Sequence, residues 1–90
     1  NLSHYGIFQN GIQHCQMMLD RTRRSLLRKE LRDARLRAEL RQVDVAKALK
    51  KPQSYVAKVE SGERRMDFIE VLSFCKIVKL NPIELIERLN

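Results

Sequence analysis

The chain has 90 residues, 43% of them hydrophobic and 32% charged, and its 18 Lys and Arg outweigh 11 Asp and Glu for a net charge of +7. That length supports one domain with a modest core, and that composition is globular rather than disordered. It argues against a membrane-spanning protein, because no apolar run approaches the roughly 20 residues a bilayer requires, and against a disulfide scaffold or zinc site, because the two cysteines, Cys15 and Cys75, are far apart and outside any CxxC pattern.

Each cysteine is expected to be a free, buried thiol. His4 and His14 add no ligand spacing, so neither a metal nor a cofactor is expected. No signal peptide is visible, and a start at Asn1 without Met fits a trimmed chain, so a cytoplasmic protein is expected. The positive charge is concentrated. Between Arg21 and Arg65, 15 Lys and Arg face 6 Asp and Glu, a net of +9, while the remaining residues sum to −2. Such a stretch attracts phosphates or anionic lipid headgroups. A set of solvated helix faces would give the same count.

Strand patterning is nearly absent and helical spacing recurs, which makes the fold class all-α. The first residues, Asn1 to Gly11, hold two of the three glycines together with Tyr5 and Phe8 and have no clear period, so they read as an arm. From there Ile12, Cys15, Leu19, Thr22 and Leu26 fall at alternating spacings of three and four, a weak heptad seam or a helix side packed on its own domain. Leu26, Leu27, Leu31, Ala34 and Ala38 mark one face of a helix over Ser25 to Ala38, which either starts there or merges with the Ile12 segment. A short second helix runs from Gln42 to Leu49, with Val45, Ala46 and Leu49 inward. Lys50-Lys51-Pro52 interrupts the period, and Pro suits the first turn of a helix, so a third helix starts at Pro52 or Gln53 and runs to Ser61. Val56 and Val59 form its inner face, and Gly62 is its C-cap. Asp67 caps a fourth helix whose Ile69, Leu72, Phe74, Cys75 and Val78 imply burial on more than one side. Asn81-Pro82 starts a fifth, carrying Ile83, Leu85, Ile86 and Leu89. Residues 1–24 are thus an N-terminal extension for dimerisation or a partner, and residues 25–90 form the domain.

Two short helices joined by a tight turn, with small Ala46 at the close approach, have the shape of a helix-turn-helix. The third helix leaves Gln53, Ser54, Tyr55, Ala57, Lys58 and Ser61 facing outward. Gln, Ser and Lys can match base-edge donors and acceptors in a major groove, although an ordinary solvent-facing helix is polar as well.

The run Leu40-Arg41-Gln42, Val45-Ala46, Leu49, Gln53-Ser54-Tyr55-Val56, Lys58-Val59-Glu60-Ser61-Gly62 and Arg64-Arg65 resembles the Cro/phage-repressor (XRE-like) helix-turn-helix family over Leu31 to about Leu89. The resemblance implies a compact five-helix domain that binds a double-stranded DNA operator as a homodimer. It implies that Gln42 bonds a phosphate and touches the start of the recognition helix. It implies that Gln53, Ser54 and Tyr55 face bases or the adjacent backbone, that Lys58 on the same face reaches a base or a phosphate, and that Ser61, Arg64 and Arg65 face phosphates; Gln53, Ser54, Tyr55 and Lys58 are the expected base-facing set. It also implies an ion pair between Arg35 and Glu60. Arg41 and Lys51 join the phosphate-facing set by charge and position. The sequence departs from the family at Lys50 and Glu39, where Gly is usual, at Arg41, which forfeits a side-chain cap, and at Pro52, where Ser or Thr is common. A left-handed Lys50 would carry strain of about 1 kcal/mol.

The expectation is a sequence-specific transcriptional repressor, not an enzyme: no glycine-rich phosphate loop, metal-ligand cluster or paired carboxylates appear. The fifth helix or the extension would supply the dimer interface, and Arg21, Arg23 and Arg24 give the extension a route to DNA. The rival is a protein-interaction module, an antitoxin or coactivator-like adaptor whose arm holds a partner protein.

Overall fold

The computed structural model describes the backbone of residues 3–90 and the side chains from Leu19 onward. Five helices occupy it: α1 (Ser3–Arg37), α2 (Gln42–Leu49), α3 (Gln53–Ser61), α4 (Phe68–Val78) and α5 (Pro82–Leu89). No strand occurs among the described residues. The sequence-based readings of His4, Tyr5, Phe8, Ile12, His14 and Cys15 concern side chains that lie outside the described residues.

The helix expected from Ser25 is the C-terminal part of a 35-residue element. No Gly or Pro interrupts residues 12–37, and Leu, Met, Arg and Gln there are strong helix formers. The merger with the Ile12 segment is therefore what local propensity favours, and the helix stops only where Glu39 turns left-handed at φ 59°.

The remaining boundaries follow local chemistry. Lys50 adopts φ 58°, ψ 43° and closes α2, with its N–H donating to the Lys47 carbonyl at 3.1 Å. Pro52 is the N-cap of α3, so the helix proper begins at Gln53. Gly62 ends α3 at φ 89°, a conformation that a residue without Cβ adopts freely. Asp67 accepts from the Glu70 N–H at 2.8 Å while Glu70 accepts from the Asp67 N–H at 3.1 Å, a reciprocal capping box for α4. Asn81 accepts from the Ile83 N–H at 2.9 Å, with Pro82 in the first turn of α5.

α2 packs on α3 and α4, and α1 packs across α3, α4 and α5. Leu31 and Ala34 of α1, Val45 and Ala46 of α2, Val56 and Val59 of α3, Phe74, Cys75 and Val78 of α4, and Leu85 of α5 meet in one core, with Leu80 from the α4–α5 turn. Cys75 is a free, buried thiol, and burial pushes its ionisation above the ordinary thiol value. Ile69 does not join this core. It and Phe68 are exposed in the first turn of α4, because the buried face of that helix is set by Phe74, Cys75 and Val78 further along.

Candidate nucleic-acid interface

The face of α3 is fixed by what lies beneath it. Val56 and Val59 are 0% and 2% exposed, and this seam turns Gln53, Ser54 and Lys58 to solvent. The turn before it is tight because Ala46 leaves room: the Lys51 N–H reaches the Ala46 carbonyl at 2.9 Å.

Behind α3, Arg35 and Glu60 form a two-pronged ion pair, with Nε to Oε2 at 2.6 Å and Nη2 to Oε1 at 3.0 Å. The third guanidinium nitrogen donates to the Leu40 carbonyl at 2.9 Å. Both side chains are nearly buried, at 10% and 5% exposure. Gln42 donates to Glu60 Oε1 at 3.1 Å. The contact that Gln42 makes is thus near the end of α3 rather than at its start. Its side chain is half-buried, held between α2 and the ion pair.

Tyr55 is not among the outward side chains. It is 8% exposed, and its hydroxyl donates to Glu70 Oε2 at 2.5 Å. Its position explains this: Tyr55 lies four residues before Val59, on the same side of the helix, so its ring is drawn into the core edge. Of the four side chains expected to face bases, Gln53, Ser54 and Lys58 are exposed and Tyr55 is not. Tyr55 instead supports cations. Lys51 Nζ lies 5.5 Å and Arg64 Cζ 4.8 Å from the ring centroid, within cation–π range. Arg64 also donates to Glu70 Oε2 at 3.2 Å.

Glu70 therefore receives bonds from Tyr55, the Asp67 backbone and Arg64, which in that order hold its carboxyl down at about 2. Burial, followed by the Glu70 hydrogen bond, pushes the Tyr55 phenol up to about 12. Sequence reading missed this cluster. Two signals pointed to it: the Asp67-to-Glu70 spacing of a capping box, and the four-residue spacing of Tyr55 to Val59 on the inner side of α3.

The other expected phosphate-facing residues are exposed, but differently employed. Arg41 bonds Asp44 through its backbone N–H at 2.8 Å and its guanidinium at 3.0 and 3.1 Å. A guanidinium cannot accept a hydrogen bond, so only the Asp44 half of a capping box exists at α2. That pairing lowers the Asp44 carboxyl and raises the Arg41 guanidinium. The Ser61 hydroxyl donates to the Lys58 carbonyl at 3.1 Å, which uses its one proton. Arg65 and Lys51 carry no ion pair among the described residues. No cluster of three or more metal-ligating side chains occurs among the described residues, and no helix there is long and apolar enough to cross a membrane.

Residues 26–89 match the model of a family described as a helix-turn-helix domain. Among solved structures, the chain is similar to an XRE-family like protein from Pseudomonas syringae pv. tomato str. DC3000, with a TM-score of 0.79 and 35% identity over 83% of this chain and 92% of that one. No curated protein matches it. The family match spans the last third of α1 through α5, the same stretch that builds the core and presents α3, and on that basis the chain belongs to the XRE-like helix-turn-helix family of DNA-binding domains.

Proposed function

We propose that this protein is a sequence-specific, double-stranded DNA-binding repressor that reads the major groove with α3 and acts as a homodimer at the nucleoid in the cytoplasm. One observation carries the reading: the α3 face bearing Gln53, Ser54 and Lys58 is exposed while Val56 and Val59 beneath it are sealed in the core. These three side chains carry the amide, hydroxyl and ammonium groups that recognise base edges. Arg41, Gln42, Lys51, Arg64 and Arg65 set position on the phosphates around them, joined by Ser61 once its hydroxyl turns from the Lys58 carbonyl. Its work is binding and not catalysis, in keeping with its family.

Selection of bound duplexes from a random library tests this at a stated salt concentration, with a two-fold symmetric consensus expected. Gln53→Ala then lowers discrimination between that operator and unrelated DNA by roughly 1–3 kcal/mol. Arg65→Ala weakens both duplexes alike and flattens the salt dependence. Two variants that bind like the parent would defeat this division of roles.

A second reading draws on Leu19, which is 52% exposed on the part of α1 that precedes the family match. An adaptor would use that extension to hold a partner protein. Gel filtration of the chain with and without residues 1–20, and a pull-down with the extension, separate self-association from capture of another protein.

A further inference from the structure

An open cleft of about 930 Å³ lies between the extension of α1 and the loop after α3. Its walls carry Arg21, Arg24 and Arg28 on one side and Arg64 and Arg65 on the other, with Asp20 as the one carboxylate among the described lining residues. Asp20 is engaged only loosely, 3.9 Å from Arg23. Arg64 is tied to Glu70, while Arg21, Arg24, Arg28 and Arg65 have no carboxylate partner among the described residues. Guanidiniums gathered this way repel one another, and they face an apolar floor that includes Leu27 and Met66. Such a site gains free energy when an anion enters it.

The spacing says which kind of anion. Positions 21, 24 and 28 fall on one face of a helix, and seven residues rise about 10 Å. The three cations therefore form a row rather than a ring. A DNA strand presents a phosphate about every 3.4 Å along its axis, so the row spans about three successive phosphate steps. Guanidinium is also the group best suited to paired hydrogen bonds with phosphate oxygens. The row is anchored to the recognition helix itself. A Cβ at residue 62 would lie 2.9 Å from Arg28 Cζ, so the bare Gly62 backbone is what lets Arg28 lie against the end of α3.

We propose that this cleft is a second phosphate site, which takes the DNA backbone beyond the reach of α3 and makes the extension of α1 part of the DNA footprint. The proposal rests on the DNA-binding reading above and adds to it a contact outside the family-matched residues, since Arg21 and Arg24 precede residue 26.

The test compares the full chain with an Arg21→Gln/Arg24→Gln variant on the selected operator embedded in a long duplex. Both residues are exposed, so the variant keeps the fold. Each lost phosphate contact lowers the slope of log affinity against log salt by about 0.9. The variant is expected to have a slope shallower by about 1.8, so that raising salt from about 50 to about 200 mM weakens it about 12-fold less than the parent. Hydroxyl-radical protection of the flanking backbone is lost, while the order of preference among operator sequences stays the same. An Arg28→Gln variant, which removes the third cation of the row, moves both readouts in the same direction. An unchanged slope and footprint in a protein that still selects its operator overturns this inference alone. A parent with no duplex preference overturns the functional reading and this inference together.

Discussion

At Tyr55 a single side chain decides how the proposed recognition surface is divided. Its ring is packed inward, its hydroxyl reaches Glu70, and Lys51 and Arg64 lie over it. Tyr55→Phe keeps the ring and removes the hydroxyl, so the order of operator preference is expected to stay unchanged in a competition assay. Stability falls by about 1.5–3 kcal/mol at neutral pH, the cost of losing a hydrogen bond to a charged acceptor. The sign of the pH effect follows from Glu70. Its carboxyl ionises at about 2 when folded and near 4.5 when free, so its contribution is present above 4.5 and is lost as pH falls toward 2. The hydroxyl of Tyr55 is the largest cause of that shift. Urea denaturation across this window is expected to show a shallower acid loss in Tyr55→Phe than in the parent. An equally steep loss would mean that Arg64 and the Asp67 backbone suffice. In the alkaline range the phenol opposes the fold: its folded value of about 12 exceeds the free value of 10.0, so stability declines as pH rises between them.

At the scale of elements, the α2–α3 unit is held by a strained turn and a buried ion pair. Lys50 is left-handed at φ 58°. Replacing it with Gly removes a steric cost of about 1–2 kcal/mol but raises the entropy of the unfolded chain by up to about 1 kcal/mol. The expected result for Lys50→Gly is a small gain, about 0.5 kcal/mol, read as a higher denaturation midpoint with unchanged slope. The Arg35–Glu60 pair ties α1 to α3 across 25 residues of sequence. Glu60→Ala leaves Arg35 charged in a site that is 10% exposed and is expected to cost about 3–5 kcal/mol. Arg35→Met/Glu60→Leu should recover most of that loss, because the charge goes with its partner. These elements were largely legible beforehand, since Pro52, Gly62, Asp67 and Asn81-Pro82 act within one turn of where they stand. What escaped the sequence was non-local. The inward turn of Tyr55 depends on α4 lying beside it, the exposure of Ile69 depends on which side of α4 meets α2, and the left-handed Lys79 at φ 61° has no glycine to announce it. The continuity of α1 was legible only as an alternative, because nothing between Ile12 and Arg37 breaks a helix and nothing there requires one either.

For the whole molecule, on the proposed reading, one short recognition helix would contact only a few base pairs, so two-fold pairing on adjacent half-sites is the economical route to a specific operator. The strongest apolar display on α5 is the pair Ile83 and Ile86, 64% and 51% exposed on the side away from buried Leu85. Two isoleucines supply about 1.5–3 kcal/mol each when fully buried, while a stable interface buries about 800 Å² per partner. Pairing through α5 should therefore be weak in free solution and become evident on DNA, where both copies are already held close. Ile83→Glu/Ile86→Glu would place like charges across the proposed two-fold axis without touching the core. Sedimentation of the free variant is expected to show monomer at concentrations where the parent begins to associate, and binding to a two-half-site operator is expected to lose its steepness while affinity for a single half-site is kept. Retained steepness in that variant would move the pairing surface to the extension of α1, where Leu19 is the exposed apolar side chain nearest the domain.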